Sequence, residues 1–477
     1  MHFSVKVPGA DQAGILEVKS PYSGDVVGTV ASVDSAGVEQ ALNTSFSLYQ
    51  KRNQWLPAAR RAAILERMAT LMEQRAEQLI AAAVAEGGKP YRDTQAELMR
   101  AIDGVKNCRE CLRSESGREV PMQLNAASAG RLAFTHREPI GPVVAISAFN
   151  HPLNLIVHQI GPAIAAGCPV IVKPAEKTPL SAFLLVDLLR EAGLPEAWCQ
   201  PLVTENLTVA EALATDSRVA FLSFIGSAEV GWRLRSKLAP GTRCALEHGG
   251  AAPVIVADDA DLDAMLPLLL KGAFYHAGQV CVSVQRIFAQ RPIARDLAER
   301  LAHGAGELRV GDPANADTDV GPLIRPEAVE RIDAWVNQAL EAGADCLTGG
   351  KRMSEVLYPP TVLFDPDTAS RVSREEIFGP VVCIYPYDTL DEAISRANDT
   401  PFAFQAAVMT RDIDTALYAY HHLQASSVML NDHTAFRVDW MPFAGLKQSG
   451  YGVGGIPYTF REMQNEKMLV FHSAALR

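Results

Sequence analysis

The run GPVVAISAFNHPLNLIVHQIGPAIAAGCPVIVKP, residues 141–174, decides the fold class. Residues 143–149 form a continuous apolar stretch of strand length. Residues 152–166 read as a helix, and residues 169–174 as a second apolar strand. Strands without polar alternation are covered on both faces, so strand–helix–strand at this spacing predicts a parallel sheet wrapped by helices. Working outward, 180–191 predicts a helix, 219–226 a third strand and 228–238 another helix. A second block repeats the pattern. It has strands at 253–257, 287–290 and 381–387, with helices starting near Asp261 and at 293–306 and 326–342. Upstream, 57–86 predicts one long amphipathic helix, with Ile64, Leu65, Met68, Leu71 and Met72 on one face. Gly87, Gly88 and Pro90 end it. Residues 126–137 alternate weakly, as a protruding hairpin would.

A chain of 477 residues is too long for one core and predicts two or three domains. A net charge of -11, without a Lys/Arg cluster, argues against a nucleic-acid partner. No apolar run reaches the roughly 20 residues of a membrane span. The first residues, MHFSVKVPGADQ, lack the basic and apolar regions of a secretion signal, and the eight cysteines are scattered. A cytoplasmic location is the expectation. Cys108 and Cys111 have CxxC spacing but no second Cys/His pair, so they read as helix residues and no metal is expected.

Several residues can carry chemistry. Cys281, in HAGQVCVS, lies among small and polar neighbours just past a predicted helix end, where a thiol can be approached. Taken alone, it is as readily a packed side chain. Glu247 precedes Gly249 and Gly250, which permit close approach of a ligand or another segment. It is either a surface carboxylate or a base acting through water. Asn150 follows the strand at 143–149, where ligands gather in open α/β sheets, and its amide can donate to an oxyanion or simply shape a turn before Pro152. Gly226 and Ser227 open a helix whose N–H groups can take a phosphate. Lys173 and Glu176 leave the next strand end. The sequence GYGVGG at 450–455 matches GxGxxG, but no strand–helix unit surrounds it, so it is not read as a dinucleotide fingerprint.

Each signal is weak alone; their order is not. AFN at 148–150, KPAEKTP at 173–179, FIGSAEVG at 224–231, EHGG at 247–250, QVCVS at 279–283, EEIFGPV at 375–381 and PFAGLKQSG at 442–450 closely resemble the aldehyde dehydrogenase superfamily. The separation of 34 positions from Glu247 to Cys281 matches as well. The tail is similar to a branch near lactaldehyde and phosphonoacetaldehyde dehydrogenases. The resemblance implies two Rossmann-like parallel-sheet domains and a small oligomerisation element. It places an NAD-binding domain at 1–118 and 138–246, a catalytic domain at 247–447, and the oligomerisation element of a homodimer or homotetramer at 119–137 and 448–477.

By the same resemblance, Cys281 attacks the aldehyde, and Asn150 with the Cys281 backbone N–H holds the oxyanion. Glu247 activates the water that hydrolyses the thioester. Ile146, Ser147, Ala148, Phe149, Lys173, Glu176, Gly226, Ser227, Val230, Glu376 and Phe378 contact the cofactor. A carboxylate at Glu176 accepts from a ribose hydroxyl and repels a 2′-phosphate, which favours NAD, with NADP possible. His151, Asn154, Leu155, His158, Val280, Val282, Phe436, Arg437 and Phe443 line the substrate tunnel. That mixed lining leads to a neutral aliphatic or aromatic aldehyde as the first expectation. The alternatives are a hydroxyaldehyde, an anionic semialdehyde or phosphonoaldehyde, or a CoA-acylating enzyme, which the presence of Glu247 opposes. A cysteine hydrolase using His276 as base and a catalytically silent member are further rivals. The sequence departs from the family at His151, His248, Ala444 and the 450–455 tail, which touches pocket lining and cofactor contacts but no catalytic group.

Overall fold

The computed structural model describes residues 1–476. The first sheet has six strands in the spatial order Gly450–Tyr451, Arg243–Glu247, Phe221–Ile225, Val143–Ile146, Val170–Lys173, Cys199–Pro201. All pair in parallel except Gly450–Tyr451, which runs antiparallel to Arg243–Glu247. Registers Ile146↔Lys173, Ile146↔Phe224 and Glu247↔Ile225 bring the carboxyl ends to one edge. The chain order reverses between Val143–Ile146 and Phe221–Ile225. Loops leaving these two strands diverge, which opens a crevice at that edge.

The strands at 143–149 and 219–226 are shorter than the apolar runs predicted, because Ser147 to Asn150 and Gly226 turn away to line the crevice. The helix Asn154–Ala166 is buried along its whole length, so it carries no solvent-facing charged stripe, and its polar residues Asn154, His158 and Gln159 lie inside the molecule. Leu180–Glu191 and Val381–Tyr387 fall where the apolar pattern put them. The single helix expected at 57–86 is two, Ala58–Gln74 and Ala76–Gly87. The break is at Arg75, whose φ of -113° and ψ of 27° leave the helical region while the apolar face continues across it.

A second sheet of seven strands runs Asp345–Thr348, Thr361–Phe364, Val381–Tyr387, Val284–Gln290, Ala252–Val256, Gln405–Met409, Ser427–Leu430, parallel except at its first strand. Each sheet has its own apolar core. The expected hairpin is a strand Arg131–Pro139 flanked by Glu119–Val120 and, along nine residues, by Gln464–His472. One boundary differs from the division above. Gly450–Tyr451 extends the first sheet and Ile456–Glu462 packs on Asn154–Ala166 and Tyr91–Ser114, so of 448–477 the part that pairs with Arg131–Pro139 is Gln464–His472. No helix among the described residues is long and apolar enough to cross a membrane.

Candidate active site

Cys281 sits at the junction of the two sheets, after a segment that is unusual in backbone terms. His276, Ala277 and Gly278 are consecutively left-handed, at φ of 48°, 54° and 67°. A Cβ at Gly278 would overlap the carbonyl of Gly379. Left-handed β-carbon-bearing residues are held only where the surroundings over-determine them. Here Gln279 does so: its Oε1 accepts from the Ile324 N–H at 3.0 Å and its Nε2 donates to the Pro322 carbonyl at 3.3 Å.

The Gln279 backbone carbonyl accepts from Asn150 Nδ2 at 2.9 Å. That bond brings the end of the first strand to within two residues of the thiol. The amide has a second N–H, free to donate elsewhere. Cys281 itself is partly exposed and packs with Val280, Val282, Phe404, Phe443, Tyr275 and Ala435. Burial, with Glu247 nearby, pushes the thiol well above its ordinary range. Burial also raises the Glu247 carboxyl, opposed by Arg437, whose Nη1 lies 3.6 Å from Oε1. A protonated thiol beside a carboxylate of raised proton affinity forms a donor–acceptor pair for proton transfer.

The pocket residues fall into two groups. Val280, Val282 and Phe443 form an apolar wall, Phe443 lying 4.4 Å from Phe404 between ring centroids. Arg437 stacks on Phe443 at 3.6 Å, its side chain 8% exposed. Asn154 and His158, on the buried helix, donate to Asp439 at 3.1 and 2.7 Å. His151 lies against Tyr275, with Nε2 3.4 Å from the phenol oxygen. Leu155 is buried on the same helix. Phe436 is not gathered in; it is 42% exposed. His276 is buried with both ring nitrogens unpartnered and its backbone N–H on Asp93, so it makes no hydrogen bond to Cys281. Asp439, Tyr275 and Gln279 were not found from the sequence. They lie outside any periodic element, and only folding brings Asp439 to a helix 281 positions earlier.

The proposed cofactor residues collect along the crevice. Ile146 and Val230 pack on one apolar cluster, and Ser147 Oγ is buried without a partner. Ala148 and Phe149 are half-buried, with Phe149 edge-on to Phe378 at 5.9 Å. Phe378 is left-handed at φ 48°. Lys173 pairs with Glu176 at 2.6 Å, the lysine buried and the carboxylate 47% exposed. Gly226 and Ser227 precede the helix Ala228–Arg235. Glu376 Oε1 accepts from the Gly250 N–H at 3.2 Å, and a Cβ at Gly249 would overlap that carboxylate. An orphaned hydroxyl, a helix start, a lysine–glutamate pair and an aromatic edge along one crevice fit an extended dinucleotide. His248 lies behind it, its Nδ1 2.9 Å from the Gly226 carbonyl. The glycines at 450–455 serve packing: a Cβ at Gly450 would overlap the Leu246 carbonyl.

The chain matches the aldehyde dehydrogenase family over residues 8–469. It is 38% identical to 3-sulfolactaldehyde dehydrogenase of Priestia aryabhattai over 437 residues, 92% of this chain and 89% of the relative. Aldehyde dehydrogenase 21 of Physcomitrella patens, solved with its reaction product succinate, superposes with a TM-score of 0.95 at 33% identity, covering 99% and 98% of the two chains. Glyceraldehyde-3-phosphate dehydrogenase of Methanocaldococcus jannaschii, solved with NADP, superposes at 0.91 with 33% identity, covering 98% and 100%. With this fold and crevice, the protein belongs to the aldehyde dehydrogenase family and is an NAD(P)-dependent oxidoreductase of aldehydes.

Proposed function

We propose that this enzyme oxidises a small aldehyde bearing an anionic or hydroxyl group to its carboxylic acid, preferring NAD, through a thioester on Cys281. One observation carries the substrate class. Arg437 is a buried guanidinium beside the reacting thiol, and its Nε–H has no acceptor. A buried cation with an unspent donor favours a ligand that supplies an oxygen, and a guanidinium suits carboxylate, sulfonate or phosphate geometry. Relatives named for sulfolactaldehyde and glyceraldehyde 3-phosphate, and one solved with succinate as its reaction product, take compounds that carry such groups. This reading takes precedence over the neutral aldehyde expected from the mixed pocket lining.

Cys281 loses its proton to Glu247, which passes it on to solvent, and its sulfur bonds to the carbonyl carbon, giving a thiohemiacetal. The free N–H of Asn150 and the Cys281 backbone N–H meet the oxyanion, a contribution of about 3–4 kcal/mol for such donors. Bound nicotinamide supplies the hydride acceptor. Lys173, Glu176, Gly226, Ser227 and Glu376 hold that cofactor along the crevice. Glu247, ionised again, takes a proton from water as the water oxygen bonds to the thioester carbon; the carbon–sulfur bond then breaks, releasing the acid and returning Cys281 as the thiolate.

Glu247→Gln tests the reading. NADH should appear as a burst of about one equivalent per site, formed more slowly than in the native enzyme, followed by turnover at least 100-fold slower, and no acid should be released during the burst. Unchanged rates in both phases would show that Glu247 is not the base. Acyl transfer to added CoA in the native enzyme would favour the acylating alternative.

A further inference from the structure

Arg437 lies on a stretch without helix or strand, between Ser427–Leu430 and Leu446–Lys447. A long side chain on such a stretch does not aim itself. Its aim comes from the helix Asn154–Ala166. Arg437 Nη2 is 3.3 Å from His158 Nδ1, and His158 Nε2 is 2.7 Å from Asp439 Oδ1. Asp439 is in turn fixed by Arg100, through Nη2 at 2.7 Å and Nε at 3.2 Å, and by Asn154 Nδ2 at 3.1 Å. Its own backbone carbonyl takes the Ile456 N–H at 2.9 Å.

The chemistry of these contacts dictates one state of the imidazole. An ionised carboxylate only accepts and a guanidinium only donates. His158 therefore carries its hydrogen on Nε2 and offers a lone pair on Nδ1. A second proton would set an N–H against the guanidinium. Burial and Arg437 hold the ring neutral, with its pKa down at about 4. The titratable groups facing Arg437 are Glu247, Arg100, Asp439 and the Cys281 thiol. Arg100 neutralises Asp439, which leaves the Arg437 charge to Glu247 and to a ligand.

We propose that Asp439 and His158 are positioning residues that orient Arg437, and so set the enzyme's preference for aldehydes carrying an oxyanion. The proposal rests on the reading of Arg437 as the group that meets that oxyanion. It adds that the arginine alone is insufficient and that a buried carboxylate–imidazole pair holds it in place.

The experiment compares kcat/KM for 4-oxobutanoate with that for butanal, its uncharged analogue, in the native enzyme and in Arg437→Gln, His158→Phe, His158→Gln and the Arg437→Gln/His158→Phe double variant. NAD binding and circular dichroism report folding of each. We expect His158→Phe to lower the anionic-to-neutral ratio about tenfold, through KM for the anion. His158→Gln retains a donor and an acceptor, and should restore most of the ratio. The double variant should be no less selective than Arg437→Gln. If His158→Phe keeps the ratio while Arg437→Gln loses it, the positioning role is wrong and the anion reading stands. If Arg437→Gln itself keeps the ratio, the anion reading falls and this proposal with it. Equal, additive losses for both substrates would make His158 merely structural and overturn the proposal. Should His158→Phe fail to fold, the same comparison on Asp439→Asn decides, a lowered ratio supporting the proposal and an unchanged ratio overturning it.

Discussion

Glu376 shows how burial gives a single side chain a working pH. Loss of solvent pushes its carboxyl up to about 7, although the Gly250 N–H and the charge of Arg331 both favour the ionised form. The ionised carboxylate accepts ribose hydroxyls at full strength and the protonated form does not. If Glu376 accepts the ribose hydroxyls of the cofactor, as proposed above, NAD binding should be strongest well above pH 7 and weaken as pH falls through it. KM for NAD should rise severalfold between pH 8 and pH 6, and Glu376→Gln should flatten that dependence at a higher KM. A level profile in the native enzyme would remove Glu376 from the cofactor site. Glu247 is handled differently at the same scale. Burial raises its carboxyl too, and the charge of Arg437 beside it opposes that rise.

At the scale of elements, the helix Asn154–Ala166 carries Asn154 and His158 and follows directly from Asn150, so its start must be held. Its first N–H groups are not capped from within. Glu97, on the helix Tyr91–Ser114, accepts from Leu153 N–H at 2.8 Å and Asn154 N–H at 2.9 Å. Its other oxygen takes Lys89 Nζ at 2.6 Å, with the two side chains 2% and 0% exposed. Removing one member of such a pair strands a buried charge, at about 3–5 kcal/mol. Glu97→Gln should lower unfolding stability by that order in urea titration, and a Lys89→Met/Glu97→Gln double variant should recover part of it. A single variant that loses less than about 1 kcal/mol would mean Lys89 finds another partner or sheds its proton. None of this was legible beforehand. The 3.6-residue period marks which residues of Tyr91–Ser114 are inward, but a buried glutamate at position 97 looks the same in sequence as an exposed one.

For the whole molecule, the strand Gln464–His472 leaves an open surface. Register pairs Leu132↔Phe471 and Phe134↔Leu469 set four apolar side chains on one face, each 38–47% exposed. Such a face implies a cover, and a second copy of the chain is the expected one. Light scattering should give two or four times the 51.5 kDa chain mass, and Leu469→Glu/Phe471→Glu should shift it toward one. A sharp monomer peak for the native protein would rule this out. Two kinds of information separate here. Local pattern was enough for the parallel sheets, the crevice edge and the order of motifs, because periodicity, strand length and turn residues act over a few positions and survive in the linear text. It also marked Cys281, Glu247 and Asn150 as candidates, through motifs whose order and spacing resemble the family. The break at Arg75, the left-handed run before Cys281, the attachment of Gly450–Tyr451 to the first sheet and the Asp439–His158–Arg437 chain came from packing. Each depends on which distant group fills a space or completes a hydrogen bond, and contacts between residues hundreds of positions apart leave no period in the chain.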